Sequence, residues 1–177
     1  MMLGGAIIGA TPAVHAQAAE GSIRTIGAPR WSLLVGAGND MGSIGAAVEI
    51  YAPKPQWSLF LGAGHQPPVD SFAQGFVAGG GRWSVGGQRH RALVTLGWMP
   101  LVCAYCFSSR HRWLSGTAAM AGYRYLGRSG ITAHVGAGWG IVRVPQALRF
   151  EPGTTYEGTA AAQLAVGYTW RRTVRPR

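Results

Sequence analysis

The residues whose types and spacing could do chemistry are few. Cys103-Ala104-Tyr105-Cys106 forms a C-x-x-C pair, which serves as a dithiol redox centre when it opens a helix after a strand. Here it lies between Pro100 and Arg112 with no helical periodicity around it, and no second pair exists to complete a four-cysteine zinc site. Ser108, Ser109 and His111, with Asp70 or Glu151 as the acid, supply the residue types of a hydrolytic triad. No serine and histidine share a strand face in alternating register, so the spacing does not align a nucleophile with a base. Arg110-His111-Arg112 could clamp phosphate oxygens, although a solvated loop has the same composition. The stretch Gly-Ala-Gly recurs at Gly36-Ala37-Gly38, Gly62-Ala63-Gly64 and Gly136-Ala137-Gly138. A phosphate cradle is a single turn that opens a helix, and none of these copies precedes an amphipathic helical run or a Lys-Ser/Thr pair. No nucleotide, metal or other cofactor is expected.

Composition narrows the scaffold that must hold such groups. Charged residues make up 12% of the 177-residue chain and glycine numbers 28, whereas soluble domains carry about 25% charge and about 7% glycine. The formal balance of +10 comes from arginines and the single lysine, Lys54. These are scattered over strand ends, turns and the tail from Arg171 to Arg177 and build no basic helix, so nucleic acid is not an expected partner. At the N-terminus a short apolar run leads into Val14-His15-Ala16 and Ala16-Gln17-Ala18, both small-x-small cleavage patterns. Residues 1–18 therefore read as a signal peptide that lacks a basic leading region, followed by a short segment 19–30. In an exported chain Cys103 and Cys106 would form a small loop disulfide.

The period of the apolar residues then decides the fold. Eight period-two segments follow, separated by Gly, Pro, Asn and Asp clusters: Trp31–Gly38, Ser43–Ala52, Gln56–Gly64, Phe72–Arg82, His90–Met99, Trp113–Leu126, Ile131–Val144 and Thr159–Trp170. They predict an all-β, eight-stranded, antiparallel up-and-down transmembrane barrel over 31–170 with a basic tail, 171–177. Leu164, Val166, Tyr168 and Trp170 alternate with Gln163, Ala165, Gly167 and Thr169, and the seventh and fifth segments alternate in the same way. A soluble barrel would pair its apolar set with a charged exterior. Here the second set is Gly, Ser and Thr, which suits a cramped interior and turns the apolar set towards lipid. Gly79-Gly80-Gly81 blurs the parity of the fourth segment, where a bulge is expected. Taking the chain to start in the periplasm, Trp31, Trp57, Tyr125, Tyr168 and Trp170 fall at one boundary, and Trp98, Trp113 and Trp139 form a second ring.

These features resemble the small eight-stranded outer-membrane barrels of Gram-negative bacteria, of the outer membrane protein A and X type. The resemblance is carried by the alternating segments, by Ala121-Gly122-Tyr123-Arg124-Tyr125 before a tight turn, and by the closing Leu164-Ala165-Val166-Gly167-Tyr168-Thr169-Trp170. Seven residues follow Trp170, a departure from the family's terminal assembly signal. The resemblance implies an outer-membrane location, contact with membrane lipid and lipopolysaccharide, the latter at Arg110, His111 and Arg112, and handling by the outer-membrane assembly machinery. The expected function is a non-enzymatic structural or surface-interaction role with a plugged lumen. A lipid A deacylase-like enzyme and a soluble lipophile-binding barrel are the alternatives.

The lumen gives the most specific expectation. Glu49 is the acidic residue assigned to an inner strand face, and Arg91 and Arg124 are assigned to the same depth. A narrow interior lets long side chains meet across it, so Glu49 is expected to bridge Arg91 and Arg124 and close the lumen.

Overall fold

The computed structural model describes residues 27–69, 72–102, 113–146 and 155–171. Eight antiparallel strands close into an up-and-down barrel in which each strand pairs with its neighbours in sequence and β1 pairs with β8. The strands are β1 (Pro29–Gly38), β2 (Ser43–Tyr51), β3 (Trp57–Val69), β4 (Phe72–Gly86), β5 (His90–Val102), β6 (Trp113–Leu126), β7 (Ile131–Arg143) and β8 (Tyr156–Arg171). One end of the barrel, here the turn end, carries the β2–β3, β4–β5 and β6–β7 connections together with the start of β1 and the end of β8. The remaining connections lie at the loop end.

The side chains divide between the two faces as the period-two pattern requires. Leu59 is 70% exposed, Trp139 60% and Leu96 57%, whereas Ser32, Thr95, Thr132 and Thr169 are buried. Apolar residues thus cover the outside and small polar residues line the inside. The wall between them is glycine-rich because opposing backbones and side chains approach closely in so narrow a barrel. Gly136, for example, faces the side chain of Gln163, and a Cβ there would lie 2.8 Å from its amide nitrogen.

No bulge interrupts the fourth segment at Gly79-Gly80-Gly81; the register shift in its ladder with β3 lies instead between Gln66 and Val69, near the loop end. β4 pairs without interruption with β3 from Trp83 to Gln74, and with β5 from Gly86 to Gly79. Its parity is regular: Ala78, Arg82 and Ser84 are buried while Val77, Trp83 and Val85 are exposed. The glycines hid this parity because a residue without a side chain carries no hydropathy signal. β3, β4 and β8 also extend further than the sequence pattern indicated, to Val69, to Gly86 and back to Tyr156.

The first hairpin is shorter than the rest. β1 has 10 residues and β2 has 9, against 13 to 16 in the other strands. Its connection, a 3-10 turn at Asn39–Met41, does not project outward; Asp40 and Met41 are wholly buried inside the barrel. Gly62 makes room for it, since a Cβ at that position would collide with the backbone carbonyl of Asp40. Gly42 closes the turn in the left-handed conformation, φ 67°, which glycine adopts at no steric cost. Asn39 then ties the turn to both sides of the wall: its amide nitrogen donates to the Pro100 carbonyl at 2.6 Å, and its amide oxygen accepts from the Ala162 backbone N–H at 2.7 Å.

Apolar clusters occupy two levels of the interior. Towards the loop end, Phe60, Met99, Leu101, Met120 and Val142 form an apolar cluster. A second cluster joins Leu34, Met41, Ala47 and Ala165 around the inward turn. Nearer the turn end the inner face carries charged and polar side chains, among them Glu49, Arg82 and Arg124.

Candidate functional site

The charged groups inside the barrel are set there by register. Glu49 on β2 lies opposite Phe60 on β3, whose inner-face neighbour Ser58 lies opposite Arg82 on β4. On the far wall, Arg124 on β6 pairs with His134 on β7. Glu49, Arg82 and Arg124 are each at most 1% exposed. A charge buried this deeply is tolerated only when it is paired and its hydrogen-bonding capacity is used.

Glu49 meets that condition. One carboxylate oxygen accepts from the Ser58 hydroxyl and from Arg124 Nη2, and the other accepts from Arg82 Nη1 at 3.1 Å. The second amino group of Arg82 donates to Asp40, which the inward turn delivers from the β1–β2 connection. Two guanidinium groups thus meet two carboxylates, and the cluster is charge-balanced. Both arginines also sit over aromatic rings, with Arg82 Cζ 4.2 Å from the centroid of Phe60 and Arg124 Cζ 5.3 Å from that of Tyr51. Arg124 Nε donates to His134 Nε2 at 2.9 Å, so the imidazole presents that nitrogen as an acceptor. Ser32 donates to the Tyr51 hydroxyl at 3.1 Å and shares a 2.7 Å hydrogen bond with Thr169 across the β1–β8 seam.

The structure therefore brings Glu49 and Arg124 together but sets Arg91 apart from them. Arg91 stands at the turn end of β5, opposite Gly86 on one side and Arg124 on the other. Its Nε donates to the Gly87 carbonyl at 3.1 Å and its Nη1 to the Pro55 carbonyl at 3.0 Å, which laces two adjacent turns. The expected Arg91 bridge is corrected to Arg82, which the obscured parity of β4 had concealed. Arg91→Gln should cost only about 1 kcal/mol in urea unfolding, the scale of rim hydrogen bonds. A loss as large as that from Glu49→Gln would place Arg91 within the network after all.

Two contributors escaped the sequence reading for different reasons. Arg82 has a legible signal in retrospect, because Ser84 and Arg82 alternate with Trp83 and Val85. Asp40 has none, since an inward and an outward turn share the same local composition. Cys103, Cys106, Ser108, Ser109, Arg110, His111, Arg112, Asp70 and Glu151 lie outside the described residues, as does the candidate signal peptide. Among the described residues, no three His, Cys, Asp or Glu side chains are grouped to hold a metal ion.

Chemically, the network is suited to closure. Its acids are engaged by arginines and its histidine by Arg124, within a wall that leaves the cluster no contact with bulk water. It cross-links β2, β3, β4, β6 and β7 to the inward turn. Comparison with known proteins finds no matching family model, no matching curated protein and no matching solved structure.

Proposed function

We propose that this protein is an outer-membrane β-barrel without enzymatic activity, which spans the membrane as a sealed structural element and presents its loop end as an interaction surface. The observation that carries this reading is the inversion of the barrel's polarity. Leu59, Leu61, Val77, Leu96, Val135, Trp139, Ile141, Leu164 and Val166 stand exposed around the outside. A barrel in water would offer its partners a charged exterior; this one offers a continuous apolar band, which only hydrocarbon solvates well.

Two further features support the reading. Aromatic side chains mark both boundaries of the band. Trp31, Trp57, Trp83, Tyr123, Tyr168 and Trp170 stand towards the turn end, and Trp98 and Trp139 towards the loop end. The Glu49 network spans the lumen from β2 to β4, β6 and β7, and the apolar cluster lies beyond it, which argues for a plugged barrel and against a pore. Membrane lipid is the immediate partner, with lipopolysaccharide at the loop end. The outward row Leu164, Val166, Tyr168 and Trp170 on β8 is the surface that the assembly machinery would handle.

Envelope fractionation combined with electrophoresis of boiled and unboiled samples tests this reading. The protein should partition with outer membranes and migrate differently after heating, as a barrel that resists detergent without heat does. Recovery in the soluble fraction with unchanged migration would overturn it.

A further inference from the structure

The turn end carries a ring of cations that neither the sealed lumen nor the apolar band requires. Arg30 precedes β1, Lys54 lies in the β2–β3 turn, Arg89 in the β4–β5 turn and Arg128 in the β6–β7 turn, while Arg171 ends β8. Every connection at this end, and the β1–β8 seam, therefore contributes a cation. Arg30, Lys54 and Arg128 are exposed and Arg89 is half-buried. No exposed acidic side chain opposes them among the described residues: Asp40 and Glu49 are buried in the lumen, and Glu157 belongs to the start of β8 at the other end.

The depth of this ring is set by the aromatics beside it. Trp31 stacks on Trp170 with ring centroids 3.7 Å apart, and Tyr168 meets Trp170 edge-on at 4.7 Å. Trp57 packs against Trp83 at 6.3 Å, and His90 lies 6.0 Å from Tyr123 and 5.4 Å from Tyr125. Such rings occupy the boundary between hydrocarbon and head groups. Arg30 adjoins Trp31, Arg171 adjoins Trp170 and Arg89 adjoins His90. The cations thus stand one step beyond the hydrocarbon boundary, at the level of lipid phosphates.

We propose that the turn end is a binding surface for anionic glycerophospholipid head groups, with Arg30, Lys54, Arg89 and Arg128 as the phosphate-contacting residues. This rests on the transmembrane reading above. The chemistry is complementary in two respects: guanidinium groups donate paired hydrogen bonds to phosphate oxygens, and the absence of neighbouring carboxylates among the described residues leaves a net positive field that favours a lipid with an uncompensated charge over a zwitterion. The ring encircles the barrel, so it orders a shell of lipid and not a single molecule. It also fixes the depth of the barrel, because lifting the ring towards the hydrocarbon would strip it of its counter-charges.

Boundary-lipid selectivity is the direct test. The full chain is refolded into phosphatidylcholine vesicles containing trace spin-labelled phosphatidylglycerol or spin-labelled phosphatidylcholine, and the motionally restricted fraction of each label is measured. The association constant of phosphatidylglycerol should exceed that of phosphatidylcholine several-fold at low salt and approach it near 1 M salt, where screening extends only about 3 Å. The combined variant Arg30→Gln, Lys54→Gln, Arg89→Gln, Arg128→Gln should lose the preference, while Arg143→Gln at the loop end should keep it. Equal association of the two labels in the wild type, or a preference that survives high salt, would overturn the proposal without needing any variant to fold. A preference retained by the combined variant, or lost equally in Arg143→Gln, would also overturn it. Insertion into phosphatidylcholine without selectivity defeats this inference alone; failure to insert into any vesicle defeats the transmembrane reading with it.

Discussion

Glu49→Gln is expected to destabilise the barrel by about 3–5 kcal/mol in urea unfolding, the cost of removing one partner from a buried ion pair. The loss arises mainly at Arg124. Arg82 keeps Asp40 when Glu49 is neutralised, whereas Glu49 is the only carboxylate paired with Arg124 among the described residues. The double variant Glu49→Gln, Arg124→Gln leaves a balanced Arg82–Asp40 pair in the lumen. Its destabilisation should therefore fall well short of the sum of the two single losses, a coupling that a double-mutant cycle measures directly. The same cycle run with Arg91→Gln should be additive, because Arg91 spends its donors on turn carbonyls. Additivity between Glu49 and Arg124 would show that the two charges do not meet in the folded protein.

The second large effect belongs to the opposite face. Leu96→Arg should cost about 2–4 kcal/mol in lipid vesicles, the penalty for a guanidinium on the hydrocarbon-facing side near the midplane. Leu96 is the middle of the outward row Val94, Leu96 and Trp98 on β5, where it lies opposite Gly81 on β4 and Ala119 on β6. Those neighbours are too small to shelter or pair with a charge. Leu96→Ala provides the control, since it removes apolar area without adding charge. An arginine tolerated as well as alanine would mean that this face does not contact hydrocarbon.

Most of the architecture was legible because its physics is local. Alternation tells the two faces of a strand apart, and Gly, Pro and Asn clusters mark the turns, so strand number, order and facing followed from short windows of sequence. Inside the barrel, the same alternation placed Glu49 and Arg124 inward and at similar depth. It failed where local signal is missing. Gly79-Gly80-Gly81 carries no hydropathy, and Arg82 was lost with the parity of its strand. Asp40 failed for a different reason. Its direction is decided by the shortness of β1 and β2 and by the room left at Gly62, which are properties of the closed wall and not of residues 39–41. Arg91 illustrates the remaining gap, in that shared depth brings groups near one another but the available hydrogen-bond acceptors decide which of them pair.

The β1–β8 seam has a consequence in time. Ser32 and Thr169 share a hydrogen bond although 137 residues separate them, so the contact that completes the wall joins the most distant strands of the sheet. Loop closure over such a span is slow relative to forming the hairpins between them. Until it occurs the chain is an open sheet with two bare edges, whose peptide groups hydrocarbon cannot satisfy. On the transmembrane reading proposed above, closure and membrane entry are effectively one event. Deleting β8 would leave an unclosed ribbon exposed to aggregation, not a slightly smaller barrel, and an intermediate captured before closure should expose the edges of β1 and β8 to proteolysis together.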